Sequence, residues 1–279
     1  MIEIKDLTKK FGDFTAVDHL NLTIDTGEFF GLLGPNGAGK TTTISMISTV
    51  LLPNSGEILV DGKSLDRKSS EIKRRISVIT QEYSMRMDMT CDEVMEYQGR
   101  LYYMPVKEIR EKTDELLDFV GLTDYRRRSV RNLSGGMKRR LMICRALLTE
   151  PEIILLDEPT AGMDAIARRQ TWGILRELQK KGITILLTTH YMEEAEALCD
   201  RVALIDSGKL SVIDTPQGLI DDLGKFAVDK TVDGKLESSY FADRQAAIDY
   251  LASQENADMR NTTLEDVFIQ RIGKTLMKK

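Results

Sequence analysis

The rhythm of apolar and polar positions changes along the chain, and each change predicts a different kind of structure. From residue 1 to about 65, short apolar runs alternate with turn residues: Ile2 and Ile4, then LNLTID, EFFGLLG and GEILVDG, a pattern of strands joined by tight turns. One helix interrupts them. Behind the strand Phe29 to Leu33, the residues Ile44, Ile47 and Leu51 fall at i, i+3 and i+7, which predicts about three helical turns. Residues 85 to 150 turn charged and helical, with Thr90 and Glu93 spaced as a capping box and LLDFVGL supplying an apolar stripe. Two short apolar runs follow, IILL at 153 to 156 and ITILL at 183 to 187, separated by a helix containing Trp172, Leu175 and Leu178. Strand, helix, strand in that order implies a parallel sheet buried on both faces.

The stretch VALIDSGKLSVI, 202 to 213, predicts a hairpin turning at Asp206-Ser207-Gly208, and the TPQG after it marks an exit from the main domain. Beyond it, FAVDKTVDGKLESSYFA predicts two short strands, then a helix from about Arg244 to Ala252 and a last one near Leu264 to Ile272. The sequence shows no internal repeat and no heptad run.

Composition narrows the field in three ways. A net charge of -5 supplies no basic face for nucleic acid, so any anionic ligand must be held locally. Cys91, Cys144 and Cys199 are far apart and form no CxxC pair, which suits a reducing compartment and makes the cytoplasm the expected location. No apolar run approaches the roughly 20 residues of a spanning helix, and the N-terminus lacks a signal-peptide core, so a membrane role would pass through another protein.

The chemistry begins at Gly34-Pro35-Asn36-Gly37-Ala38-Gly39-Lys40-Thr41, which fits G-x-x-x-x-G-K-[ST] between an apolar strand and a helix start. Its glycines let backbone N-H groups converge on phosphate oxygens, Lys40 adds a point charge between the β- and γ-phosphates, and Thr41 offers a hydroxyl to Mg²⁺. Thr42 is placed for the α-phosphate. A chance match in a chain of this length has odds of about one in a hundred. A second element, Ile153 to Pro159, is an apolar strand ending in Asp157 and Glu158, whose side chains diverge: one carboxylate can face the metal and the other the attacking water. The third, Leu133-Ser134-Gly135-Gly136-Met137, precedes a second helix whose N-terminus can also bind an anion.

With these three elements in this order, the chain resembles the ATP-binding cassette (ABC) transporter ATPases, whose LSGGQ signature precedes an aspartate-glutamate strand end; here Met137 replaces the glutamine. The resemblance covers residues 1 to about 215. It implies an α/β P-loop NTPase core with an N-terminal antiparallel β-subdomain, a helical insert at about 85 to 150, and a small α+β accessory region at 216 to 279. By the same resemblance, Gln81 matches the glutamine loop that links Mg²⁺ or the attacking water to the insert. Asp164 in Ala161-Gly162-Met163-Asp164 matches the loop at the subunit seam, His190 matches the switch histidine, and Phe11 the aromatic residue that stacks on adenine. ATP and Mg²⁺ are the implied cofactors. The signature of one subunit, Ser134, Gly135 and Gly136, would cap the ATP held by the phosphate loop of another.

The resemblance further implies a homodimeric ATPase attached at the cytoplasmic face to an integral membrane transporter subunit, with no nucleic-acid partner. Tyr83 to Met89 opens the insert on which that subunit would dock, although the three alternating methionines also suit a local apolar cluster. Thr263-Leu264-Glu265-Asp266-Val267-Phe268 is similar to a motif of the drug, antibiotic and polysaccharide exporters, while Thr262 with Glu265 is also spaced as a capping box. The competing class is a cytosolic ABC ATPase serving translation or chromosome maintenance. A single phosphate loop, and only about 90 residues between Lys40 and Ser134, with no room for a long coiled coil, argue against it. The remaining marked positions have plain structural readings: His19 as a turn residue, Asp164 as a helix N-cap, and Lys138-Arg139-Arg140 as a solvated helix face.

Overall fold

The computed structural model describes residues 1–232, 234–254 and 256–273. Phe29–Leu33 is buried at every position, as are Ile153–Asp157 and Thr184–Thr189. Such unbroken apolar runs fit only strands covered on both faces, and they form the middle of a six-stranded sheet. Its order is Lys209–Asp214, Arg201–Asp206, Phe29–Leu33, Thr184–Thr189, Ile153–Asp157, Ile76–Ile79. All neighbours pair in parallel except the hairpin Arg201–Asp206 and Lys209–Asp214, which turns at Ser207 and Gly208 with φ of 49° and 80°.

The N-terminal strands form a separate antiparallel sheet ordered Phe14–Ile24, Ile2–Phe11, Ser55–Val60, Lys63–Ser64. Between the two sheets lies a core that includes Ile4, Leu22, Phe30, Leu32 and Ile44. The other face of the parallel sheet packs Phe29, Leu33 and Leu187 against Met142, Leu175 and Leu198 on helices Gly135–Leu147, Ala165–Lys180 and Met192–Leu198. A third core holds the helical insert, where Cys91, Val94 and Met95 of Cys91–Leu101 meet Leu117 of Val106–Phe119 and Leu141 and Cys144 of Gly135–Leu147. Truncating a buried leucine in any of the three to alanine should cost about 2–5 kcal/mol.

Local signals decide most element boundaries. Thr90 caps Cys91–Leu101 in a reciprocal box with Glu93, as its spacing predicts. The helix behind the glycine-rich loop is shorter than expected: it spans Lys40–Ile47 and stops where Thr49 turns into the left-handed region at φ 60°. Leu51 reaches the same core from the turn that follows, its N-H donating to Ser45 O, so the i+7 match was coincidental. Met85, Met87 and Met89 pack against the insert's core. His19 lies not in a turn but within Phe14–Ile24, at φ 52° beside a register shift, with Nδ1 2.6 Å from Asp6 Oδ1.

Residues 216 to 223, unassigned from sequence, form helix Pro216–Leu223, capped by Thr215. Its Leu219 and Ile220, together with Leu264 and Val267 of Leu264–Phe268, enter the same core as Phe29 and Leu33. The appendage itself is a three-stranded antiparallel sheet ordered Lys235–Phe241, Phe226–Val232, Ala257–Asn261, with helix Arg244–Ala252 packed on it. Among the described residues no helix is long and apolar enough to cross a membrane.

Candidate nucleotide site

Ligands of open parallel sheets bind at the carboxyl ends of the strands, and the marked loops leave the sheet there. The phosphate loop follows the central strand Phe29–Leu33; the next two strands end at Thr189, one residue before His190, and at Asp157, one before Glu158. The loop's shape needs its glycines. Gly39 has φ 106° and a side chain there would meet Ala16 O at 2.4 Å; one at Gly34 would meet Ile205 O at 2.3 Å. The hairpin tip braces the loop from outside, Gly208 N donating to Ala38 O (3.1 Å) and Asp18 N to Gly208 O (2.9 Å).

Lys40 is 5% exposed, and its Nζ donates to Gly34 O (2.8 Å) and Pro35 O (3.1 Å). Burial pulls its pKa down, and the carboxylates of Glu158 and Asp157 push the other way. Glu158 Oε1 is 3.9 Å from Lys40 Nζ and 3.0 Å from His190 Nδ1, so one carboxylate touches both the cation and the imidazole. Glu158 sits at φ 47°, a left-handed conformation that costs a non-glycine residue about 1–2 kcal/mol. Asp157 faces the other way: its Oδ1 accepts from Thr41 Oγ1 at 3.2 Å and from Thr188 Oγ1 at 2.5 Å. The hydroxyl of Thr41 and the carboxylate of Asp157 thus form a pair of hard oxygen donors of the kind Mg²⁺ takes.

A cavity of about 480 Å³ collects Phe11, Asn36, Gly37, Gly39, Lys40, Thr41, Thr42, Gln81, Glu158 and His190. Gly34, Pro35 and Ala38 complete the loop behind this wall, and Asp157 lies buried beneath Thr41. Phe14 and Ala16 also line the cavity, and sequence reasoning missed both. Phe14 pairs directly with Phe11 across the two-residue turn Gly12-Asp13, and both rings stand exposed. An aromatic on each side of a tight turn was the available signal.

Ser134, Gly135 and Gly136 do not line this cavity. Ser134 caps Gly135–Leu147, its Oγ accepting from Met137 N at 3.2 Å, and Ser134 and Gly135 are exposed. Asp164 caps Ala165–Lys180 through Ala167 N (2.8 Å). The basic run after the signature departs from the solvated face read from sequence. Arg139 is 2% exposed and donates to the backbone carbonyls of Thr80 and Gln81, and Arg140 Nη1 donates to Val120 O. In the appendage the capping box lies one residue later than read, on Thr263 and Asp266. Asp266 instead of Glu265 closes it because Asp266 is also held by Arg260 at 2.6 Å.

The description "ABC transporter" matches residues 17–161 of this chain. The linearmycin resistance ATP-binding protein LnrL of Bacillus subtilis (strain 168) is 38% identical over 248 residues, 88% of this chain and 80% of LnrL. The Nod factor export ATP-binding protein I of Ralstonia nicotianae is 35% identical over 304 residues, spanning 99% and 95% of the two chains. Among solved structures, a dimeric ATP-binding cassette in a post-hydrolysis state bound to ADP and Pi superposes with a TM-score of 0.69 at 29% identity, over 77% of this chain and 98% of that one.

Proposed function

Since the chain belongs to the ABC transporter family and is an ATP-binding, ATP-hydrolysing subunit of that kind, we propose that two copies close head to tail around two ATP molecules. One observation supports this reading above the others. The phosphate loop, Gln81, Glu158 and His190 share one cavity, while the second anion-binding turn lies outside it, with Ser134 and Gly135 exposed and Gly136 half-buried. The turn is therefore free to cap a nucleotide held by another copy.

In this reading backbone N-H groups between Gly34 and Thr41 and the Lys40 ammonium would hold the phosphates, Phe11 and Phe14 would offer ring faces to the base, and Thr41, Asp157 and Gln81 would hold Mg²⁺. When bound, Mg²⁺ neutralises charge on the β- and γ-phosphate oxygens. Glu158 takes a proton from the attacking water, the new bond forms to the γ-phosphorus, and the bond to the bridging oxygen breaks to leave ADP and phosphate. His190, 3.0 Å from that carboxylate, orients it and senses the γ-phosphate.

In this reading residues 1–215 make the cassette and 216–279 an accessory region, tied to it through Leu219, Ile220, Leu264 and Val267. An integral membrane subunit seats on the helical insert, where Arg86, Asp88, Met89, Glu93, Glu96, Tyr97 and Arg100 line a groove of about 470 Å³ beside exposed Leu101 and Tyr103. That partner places the ATPase at the cytoplasmic face, and export is the direction that the relatives' names favour. Glu158→Gln tests the core of the reading. The variant should bind ATP, form a stable dimer by size-exclusion chromatography and lose about 10²–10³-fold in turnover. Turnover near the wild-type rate would remove Glu158 from its assigned role.

A further inference from the structure

Arg139, 2% exposed, is the largest charged side chain buried among the described residues. Nothing in the reaction described above uses it. Its Nη1 donates to Thr80 O at 2.5 Å and its Nη2 to Gln81 O at 3.0 Å and Glu158 O at 3.5 Å. The Tyr83 ring lies 5.8 Å from its guanidinium carbon, and Nε has no hydrogen-bond partner. No carboxylate pairs with it among the described residues, although Glu158 is adjacent through its backbone. Apart from a contact of Nη1 with Met142 Sδ at 3.9 Å, its partners are backbone carbonyls, and a guanidinium buried this way carries a desolvation penalty that an apolar side chain of similar volume would avoid. Packing alone therefore gives no reason for an arginine here.

Its acceptors do. Thr80 and Gln81 begin the loop that reaches the nucleotide cavity, and Glu158 reaches it from the end of the neighbouring strand, in a left-handed conformation that something must hold. Arg139 itself stands five residues after Ser134, in the first turns of Gly135–Leu147. We propose that Arg139 is a positioning residue that ties the backbones of Gln81 and Glu158 to the helix carrying Ser134, so that a shift at the signature turn reaches the glutamate of the same subunit. The consequence for two nucleotides rests on the shared-site reading; the effect on Glu158 does not. With three N-H donors engaged in a planar fork, arginine spans acceptors on two loops at once, which lysine cannot do.

The test compares Arg139→Gln, Arg139→Met and Arg139→Lys in steady-state ATPase assays and in equilibrium binding of ATP to the monomer. Positioning predicts kcat lowered about tenfold or more with KM and binding changed less than about twofold, and loss of whatever ATP cooperativity the wild type shows. Arg139→Lys should recover part of kcat. Wild-type kcat in folded Arg139→Gln, or an equal fall of binding and kcat, would overturn the proposal. If the glutamine and methionine variants unfold, the kcat and KM of Arg139→Lys decide on the same criteria. A failure of Glu158→Gln to dimerise with ATP, alongside a kcat-only loss in Arg139→Gln, would discard the shared site and leave the positioning role intact.

Discussion

Two helices in this molecule begin at glycine-rich turns, and their first residues are put to different use. Lys40–Ile47 starts from Gly39 at φ 106° with no side-chain cap, leaving its first N-H groups free for an anion. Gly135–Leu147 starts from Ser134, whose own hydroxyl oxygen accepts from Met137 N. Around the first start stand a buried lysine, two carboxylates and an imidazole. Around the second, Ser134 and Gly135 are exposed, with Tyr83 Oη on Gly135 O. In the proposed reading, a helix N-terminus becomes a reaction site through the charges placed around it. The bare geometry of the turn makes only a wall.

The sharpest way to break the contrast is to remove the charge from the first start. Lys40→Met keeps much of the volume of a side chain that is 5% exposed and removes its ammonium. ATP affinity and turnover should both fall by about 100-fold or more. The fold should persist, because the charge is buried and desolvation already works against it. Isothermal titration with ATP and a thermal melt read the two effects separately, and unchanged affinity would deny the loop its role.

Ser134→Arg attacks the other start and should separate the two functions that Lys40→Met removes together. Ser134 lies outside the cavity, so the isolated chain should bind ATP within about twofold of wild type. Turnover should fall about 100-fold, since the arginine would block the cap that a second copy supplies. Binding lost to the same degree as turnover would mean that both starts serve one site in one chain.

What could be read from the sequence follows the same division between local and non-local causes. The phosphate loop and the Asp157-Glu158 pair were legible as short runs of fixed residue types at the ends of apolar strands, and His190 through the family resemblance. The capping box at Thr90 and the hairpin at Ser207-Gly208 depend on neighbours a few residues away, and both formed as expected. Ala257–Asn261, by contrast, has no apolar run; it is a strand because its backbone pairs with Phe226–Val232 and Arg260 reaches Asp229 and Asp266. Helix Pro216–Leu223 lay under a loop signal, TPQG, whose threonine and proline start a helix equally well. Arg139 was illegible for the same reason: three basic residues in a row carry no mark of which one turns inward.

The gentlest probe concerns how the wall of the first site is held from behind. Glu194 is fully buried; its Oε1 accepts from Thr160 Oγ1 (2.9 Å), two residues after Glu158, and from Trp172 Nε1 (3.1 Å), while Oε2 has no partner. Burial raises its pKa above the ordinary 4.5, against the hydrogen bonds from Thr160 and Trp172 and the charge of Arg168. A raised folded-state pKa means that between 4.5 and the raised value the folded chain holds more proton than the unfolded one. Stability therefore falls as pH rises through that interval and stays lower above it. Glu194→Gln keeps an acceptor for Thr160 and Trp172 and cannot ionise, so its stability should lack this component. The Tm of the variant relative to wild type should be highest near neutral pH and decline as the pH is lowered toward 4.5, a change of roughly 2–4 °C for each kcal/mol in a chain of this size. Melting curves across that range that stay parallel for the two proteins would show that Glu194 ionises no less easily in the fold than in water.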